Sequence, residues 1–292
     1  MKIILAQHFG VCFGVRDAIA QAEQLAGNAP LTILGELVHN PIVRERLRAR
    51  GAVEGSLDGM TANSPRVMIT AHGASDAKRD KWKTAGFEVA DGTCPLVRHA
   101  HEQLKGLVAA GYFPVVIGQA GHVEVRGLTE DFPGAIVVET PEDVLQLPRR
   151  ERYGVISQTT QPIERVRALV REIERQNPAA EVRFADTVCK PTKDRQTALQ
   201  KLITEADTIV IVGGRESNNT RQLVLSCRAA GRRTIHIERP EELVAADFAD
   251  VEIVGLTGGT STLRETVAAV WQRLQEISSA QLKPAAPQQG SL

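Results

Sequence analysis

Short apolar runs rich in β-branched residues recur along the chain with almost no alternation inside them. They lie at Ile3 to Ala6, Thr32 to Leu34, Val67 to Thr70, Phe87 to Ala90, Phe113 to Gly118 and Ala135 to Val138. Others follow at Gly154 to Ser157, Val182 to Ala185, Thr208 to Val212, Thr234 to Ile237 and Val251 to Leu256. Between most of them the apolar spacing turns helical, as in Arg16 to Ala26, Leu96 to Ala110, Ile163 to Gln176 and Ala198 to Ala206. Unalternating strands separated by amphipathic helices predict parallel sheets covered on both faces. The expected fold class is therefore α/β. From residue 280 the pattern gives way to a Pro-, Ala- and Gln-rich segment, which predicts a mobile tail.

A second rhythm lies over the first. Cys12 is followed by His39 after 27 positions, Cys94 by His122 after 28, and Cys189 by Ser217 after 28. A further polar site follows each time: His72, Ser157 and Ser261. Most of these residues sit at or just beyond the end of a predicted strand, where parallel sheets bind their ligands. Nine positions in three Cys-led sets predict three similar α/β units, each with its functional edge turned inward.

Charge and composition narrow the function. Lys plus Arg equal Asp plus Glu at 35 each, so the concentrated basic excess of a nucleic-acid binder is missing. No apolar run approaches the roughly 20 residues that span a bilayer, and the first eight residues turn polar too soon for a signal peptide. Four cysteines in 292 residues make no disulfide scaffold. A reduced, cytoplasmic setting is expected, without nucleic-acid or membrane partners.

No Cys-x-x-Cys pair occurs, so Cys12, Cys94 and Cys189 would have to find each other in space. Each interrupts a Gly- or Asp/Thr-rich turn where a strand ends and a helix begins. Cys227 instead lies inside a helical run and reads as a small buried hydrophobe. Three converging thiolates suit a soft metal centre. A zinc ion completed by a histidine and an iron–sulfur cubane with one iron open to substrate both remain possible at this point.

The polar loops suggest an anion site. His39 precedes Asn40-Pro41, His72 precedes a cap at Ser75, and His122 and Glu124 share one loop. Ser217-Asn218-Asn219 and Gly258-Gly259-Thr260-Ser261 each open a helix after a strand. Hydroxyl and amide side chains at helix starts, beside histidines, bind phosphate groups. Glu124 is the leading general acid, with Thr159 as proton relay.

Several segments together resemble the 4-hydroxy-3-methylbut-2-enyl diphosphate reductase family. They are Gly10 to Ala18, Glu36 to Pro41, Ala71-His72-Gly73, Asp91 to Val97 and Gly121-His122 with Glu124. Ser157 to Thr160, Asp186 to Cys189 with Arg195-Gln196, and Ser217 with Asn219 complete the set. The resemblance implies three α/β units in a trefoil-like, pseudo-threefold arrangement around a 4Fe-4S cluster. The units would be residues 13–92, residues 93–186, and residues 1–12 with 187–279, followed by a tail at 280–292. It further implies Cys12, Cys94 and Cys189 as cluster ligands. His39, His72, His122, Thr192, Ser217, Asn218, Asn219 and Ser261 would line the diphosphate pocket, Glu124 would deliver protons, and Thr159 would hold the substrate hydroxyl. The implied reaction removes the allylic hydroxyl reductively, with ferredoxin or flavodoxin as electron donor.

The chain departs from the family pattern at Val123, where proline is usual, at Pro191, at Glu216 and Asn218, and across Gly258 to Leu263. Glu216 is expected to turn away from the anion and pair with Arg215 or Arg221. The competing readings are a paralogue acting on another hydroxylated substrate and a cluster-bearing sensor without turnover.

Overall fold

The computed structural model describes residues 1–281. Twelve strands form: β1 (Lys2–Leu5), β2 (Leu31–Leu34), β3 (Ala52–Gly55), β4 (Arg66–Ile69), β5 (Glu88–Asp91) and β6 (Phe113–Ile117). The remaining six are β7 (Ile136–Val138), β8 (Arg152–Ser157), β9 (Glu181–Phe184), β10 (Thr208–Val212), β11 (Arg233–Ile237) and β12 (Ile253–Gly258). Ten α-helices intervene: α1 (Phe13–Asn28), α2 (Pro41–Ala49), α3 (Asp76–Thr84), α4 (Pro95–Ala109) and α5 (Val123–Thr129). They continue as α6 (Pro141–Leu145), α7 (Ile163–Gln176), α8 (Lys190–Glu205), α9 (Asn218–Ala229) and α10 (Arg264–Gln281).

The strands make three four-stranded sheets, ordered β3-β2-β4-β5, β7-β6-β8-β9 and β11-β10-β12-β1. Every pairing is parallel. All three sheets share one order, with the second strand outside the first and the third and fourth on its other side. In the last sheet the fourth place is taken by β1, where Lys2 pairs with Ile253 and Leu5 with Leu256. The triplication expected from residue spacing is thus written in the topology.

Burial explains why the apolar runs do not alternate. The central strand β2 is buried at all four positions and β10 at all five, whereas the edge strands β3 and β9 are mostly part-exposed or exposed. A strand covered by helices on both faces has no solvent side to mark with polar residues. Helix α7 shows the complementary pattern. It buries Val166, Leu169, Val170 and Ile173 on one stripe and ties Arg167 to Glu164 and Arg175 to Glu172 on its exposed face.

The chain divides into two compact units. One holds residues 12–194 with 217–219 and contains the first two sheets. The other holds residues 1–11, 195–216 and, of the described residues, those from 220 to 281, and contains the third sheet. Of the expected tail, residues 280 and 281 belong to α10, and the rest lies outside the described residues. Among the described residues, no helix is long and apolar enough to cross a membrane.

Candidate active site

The compact unit of residues 12–194 and 217–219 holds all three candidate cysteines. Cys12 is the residue before α1, Cys94 the residue before α4, and Cys189 the residue before α8. All three are free and partly buried, whereas Cys227 is fully buried in the other unit. The start of α1 packs directly on Cys94: a side chain on Gly14 would run into the Cys94 Sγ. Gly92 is equally constrained, since a Cβ there would come 2.7 Å from the Ile69 carbonyl oxygen.

Electrostatics ties the thiols together. Burial pushes the Cys94 thiol up, helix N–H groups of Leu96 and Val97 oppose this, and Cys12 and Glu124 add to the rise. Burial pushes Cys189 up to about 11, again with Cys12 and Glu124 contributing, while the Thr192 hydroxyl and N–H oppose it. The Thr192 Oγ1 lies 3.1 Å from the Cys189 Sγ. Without a cation among them, Cys94 and Cys189 remain protonated at neutral pH. A metal centre would hold them as thiolates.

A second cluster consists of His39, His72 and His122. Ring centroids are 4.5 Å apart for His39 and His72, 5.7 Å for His39 and His122, and 5.6 Å for His72 and His122. Local hydrogen bonds position them. Asn40 caps α2 by accepting from Ile42 N and Val43 N, with Pro41 at the first helical position, and this fixes His39 just upstream. His39 Nδ1 lies 2.9 Å from the Glu36 carboxylate, which also accepts from Arg44 at 2.7 Å. Arg44 in turn grips both oxygens of Glu54. His122 caps α5, its Nδ1 accepting the Glu124 N–H at 3.1 Å. The neutral His122 ring therefore carries its proton on Nε2 and offers a donor there. His72 is held well below the ordinary histidine value by burial first and then by its two histidine neighbours. Its Nδ1 is buried and has no hydrogen-bond partner.

Among the described residues, two trios have ligating atoms mutually within 4.8 Å: His39, His72 and His122, and Asp76, His101 and Asp131. By distance alone the histidine trio could hold one transition-metal ion, but the Nε2–H tautomer of His122 argues for an anion. In the second trio Asp131 is spent on the α3 backbone and His101, and Asp76 on Arg79. The three thiols do not form a third such trio. A single tetrahedral zinc needs sulfurs about 4 Å apart, given Zn–S bonds of about 2.3 Å. Three soft thiolate donors suit a metal centre.

Glu124 is 2% exposed, and its Oε1 accepts the Thr159 N–H at 2.6 Å. Burial raises its carboxyl to about 7, opposed by the hydrogen bonds from Thr159. It is therefore protonated in part at neutral pH and suited to give up a proton. Of the remaining expected residues, Asn218 donates its side-chain amide to the Thr160 Oγ1 at 2.8 Å, which locks the start of α9 to the loop after β8. Ser217 and Asn219 are buried in the same unit. Ser261 belongs to the other unit, in a buried turn where Thr262 N donates to Gly259 O. Glu216 is solvent-exposed. Arg215, however, bonds Glu242 at 2.8 Å: the capping acid of the next turn is better placed than a chain neighbour.

Sequence reasoning passed over Gln158. It is fully buried, its Oε1 accepts from Gln119 N and Gln161 Nε2, and its own Nε2 has no partner. The Glu36–Arg44–Glu54 network behind His39 was missed too. An acid three residues before a histidine is too common a pattern to stand out.

A profile of the LytB protein family matches residues 3–275. The chain belongs to the LytB family. Among the relatives of this LytB chain, the 4-hydroxy-3-methylbut-2-enyl diphosphate reductase of Geobacter sulfurreducens is 36% identical over 282 residues, 96% of this chain and 99% of that protein. The enzyme of the same name from Aquifex aeolicus is 36% identical over 288 residues, 97% of this chain and 99% of its own. The LytB chain also matches the structure of the E-1-hydroxy-2-methyl-but-2-enyl-4-diphosphate reductase from Plasmodium falciparum. The TM-score is 0.85 at 26% identity, over 97% of this chain and 89% of that one. A second solved structure, described as the terminal enzyme of the non-mevalonate pathway, matches at 35% identity with a TM-score of 0.67, over 94% of this chain and all of that one.

Proposed function

We propose that this LytB chain is a 4-hydroxy-3-methylbut-2-enyl diphosphate reductase of the cytoplasm. It would convert its substrate, two electrons and two protons into isopentenyl or dimethylallyl diphosphate and water. The observation that carries the reading is Glu124: a buried carboxyl poised near neutrality, within electrostatic reach of Cys94 and Cys189 and joined by the α5 cap to the histidine cluster.

Cys12, Cys94 and Cys189 are the residues that would hold a 4Fe-4S cluster, and their soft donor set fits it. When bound, such a cluster supplies single electrons and one iron without a protein ligand. The rest of the chemistry belongs to the chain. His39, His72 and His122 bind the diphosphate, with the His122 Nε2–H as one donor and the Glu36–Arg44 pair fixing the His39 ring. Ser217, Asn218 and Asn219 supply further donors by family resemblance, and the Asn218 side chain also ties down the Thr159–Thr160 loop through Thr160. Thr192 steadies Cys189. Glu124 donates a proton to the departing hydroxyl, so that the C–O bond breaks with water as the leaving group. The Thr159 N–H stabilises the carboxylate left behind. Ferredoxin or flavodoxin supplies the electrons.

The test is anaerobic turnover with reduced methyl viologen: dye oxidation on adding 4-hydroxy-3-methylbut-2-enyl diphosphate, with the products identified. Conversion to the two five-carbon diphosphates is the expected result. A brown, cluster-loaded protein that ignores this substrate would overturn the assignment in favour of a paralogue.

A further inference from the structure

Each of the three cysteines is followed four residues later by a cation: Arg16 after Cys12, Arg98 after Cys94 and Lys193 after Cys189. Residues four apart share one face of a helix. Each cation therefore stands one turn along the face that starts at its cysteine. Their side chains are 67%, 54% and 34% exposed respectively. Lys190, directly after Cys189, is exposed as well. Phe13, directly after Cys12, is among the few large hydrophobic residues left facing solvent.

Two of the cations are held by one repeated device. Asp91 accepts the Thr93 N–H and reaches Arg98 at 3.1 Å, and Asp186 accepts the Val188 N–H and reaches Lys193 at 2.8 Å. Arg79 shares Asp91, and Arg16 pairs with Asp17. Arg79 also bonds Asp76, so five cations meet four carboxylates, and a small positive excess remains at the rim although the whole chain is neutral.

We propose that the rim of Phe13, Arg16, Arg98, Lys190 and Lys193 is the docking surface for an acidic electron-carrier protein. This rests on the reading of the thiols as a redox centre. Each docked carrier loses one electron, two docking events complete a turnover, and the protons come from solvent. The charge steers the encounter, and the single apolar contact at Phe13 suits a small, short-lived interface.

The test uses anaerobically purified holoenzyme and a small acidic two-iron ferredoxin, with affinity measured between ~50 and ~300 mM salt. Wild-type binding should weaken steeply with salt. The variant Arg16→Gln/Arg98→Gln/Lys193→Gln should bind roughly 10-fold more weakly with a flattened salt dependence, while viologen-driven turnover stays within about twofold. Because Arg98 and Lys193 also brace their turns, Arg16→Glu serves as a second variant, and a roughly threefold loss is expected. A matched change elsewhere, Arg167→Gln/Arg175→Gln on α7, should bind as wild type. Unchanged affinity in the triple variant or in Arg16→Glu, or an equal loss in the α7 control, overturns the proposal. Failure of the reductase reading would show separately, as wild-type protein without viologen turnover.

Discussion

Replacing Glu124 with glutamine should abolish turnover and at the same time make the protein more stable above neutral pH. Burial holds this carboxyl at about 7 against an ordinary 4.5. Between those values the folded protein keeps a proton that the unfolded chain has released. Stability therefore falls as pH rises through this window and levels off above it. The interval is worth about 3 kcal/mol at most, and somewhat less if water reaches the group. Glutamine keeps the shape and the Oε1 acceptor for the Thr159 N–H but never has to bury a charge. Wild type and Glu124→Gln should thus be similar at pH ~5, and the variant about 2–3 kcal/mol more stable at pH ~8. Urea unfolding of reduced, cluster-free protein reads this directly. The chain has two tryptophans, and in a Trp271→Phe background Trp82, fully buried in the same compact unit as Glu124, is the reporter. Identical pH dependence in the two proteins would refute the buried-acid argument. Turnover lost together with stability would mean that Glu124 is structural.

Other outcomes follow from the same geometry. Gly14→Ala should drive its methyl into Cys94 and prevent cluster assembly, seen as loss of the brown absorbance after anaerobic reconstitution, with the far-ultraviolet circular dichroism retained. Glu36→Gln weakens the hold on His39 and should raise KM for the diphosphate substrate roughly 10-fold with kcat changed less, because it acts on binding. Tyr153→Phe removes a fully buried hydroxyl that donates to the Pro148 carbonyl and accepts from Arg150 N. It should cost about 1–3 kcal/mol in urea unfolding without changing cluster content.

The sequence disclosed the parts of this molecule that rest on local chemistry. Central strands are apolar throughout because both faces are covered, so β2, β6, β8, β10 and β12 stood out. The edge strand β3 did not: Ala-Val-Glu-Gly is short, and its Val53 faces solvent, so nothing in the segment demands burial. The cysteine rhythm was readable because each cysteine follows a fourth strand and directly precedes a helix, a local constraint. Partners chosen by distant elements were not readable. Thr160, to which the Asn218 amide is tied, is one such partner. The contact of the Thr192 hydroxyl with the Cys189 sulfur was not readable either. Arg215 bonds Glu242 because a loop folded 27 residues further along brings that acid close.

The pairing of β1 with β12 also bears on how the protein is made. Residues 2–5 are synthesised long before the strand they join, residues 253–256. At about 5–20 residues per second, β1 waits on the order of ten seconds or more for its neighbour. The sheets β3-β2-β4-β5 and β7-β6-β8-β9 are complete in sequence by residue 184 and can close meanwhile. The nascent protein therefore carries β1 unpaired in the meantime, a natural handle for a chaperone. A bulky amino-terminal fusion would weigh on the last step of folding and leave the earlier ones alone.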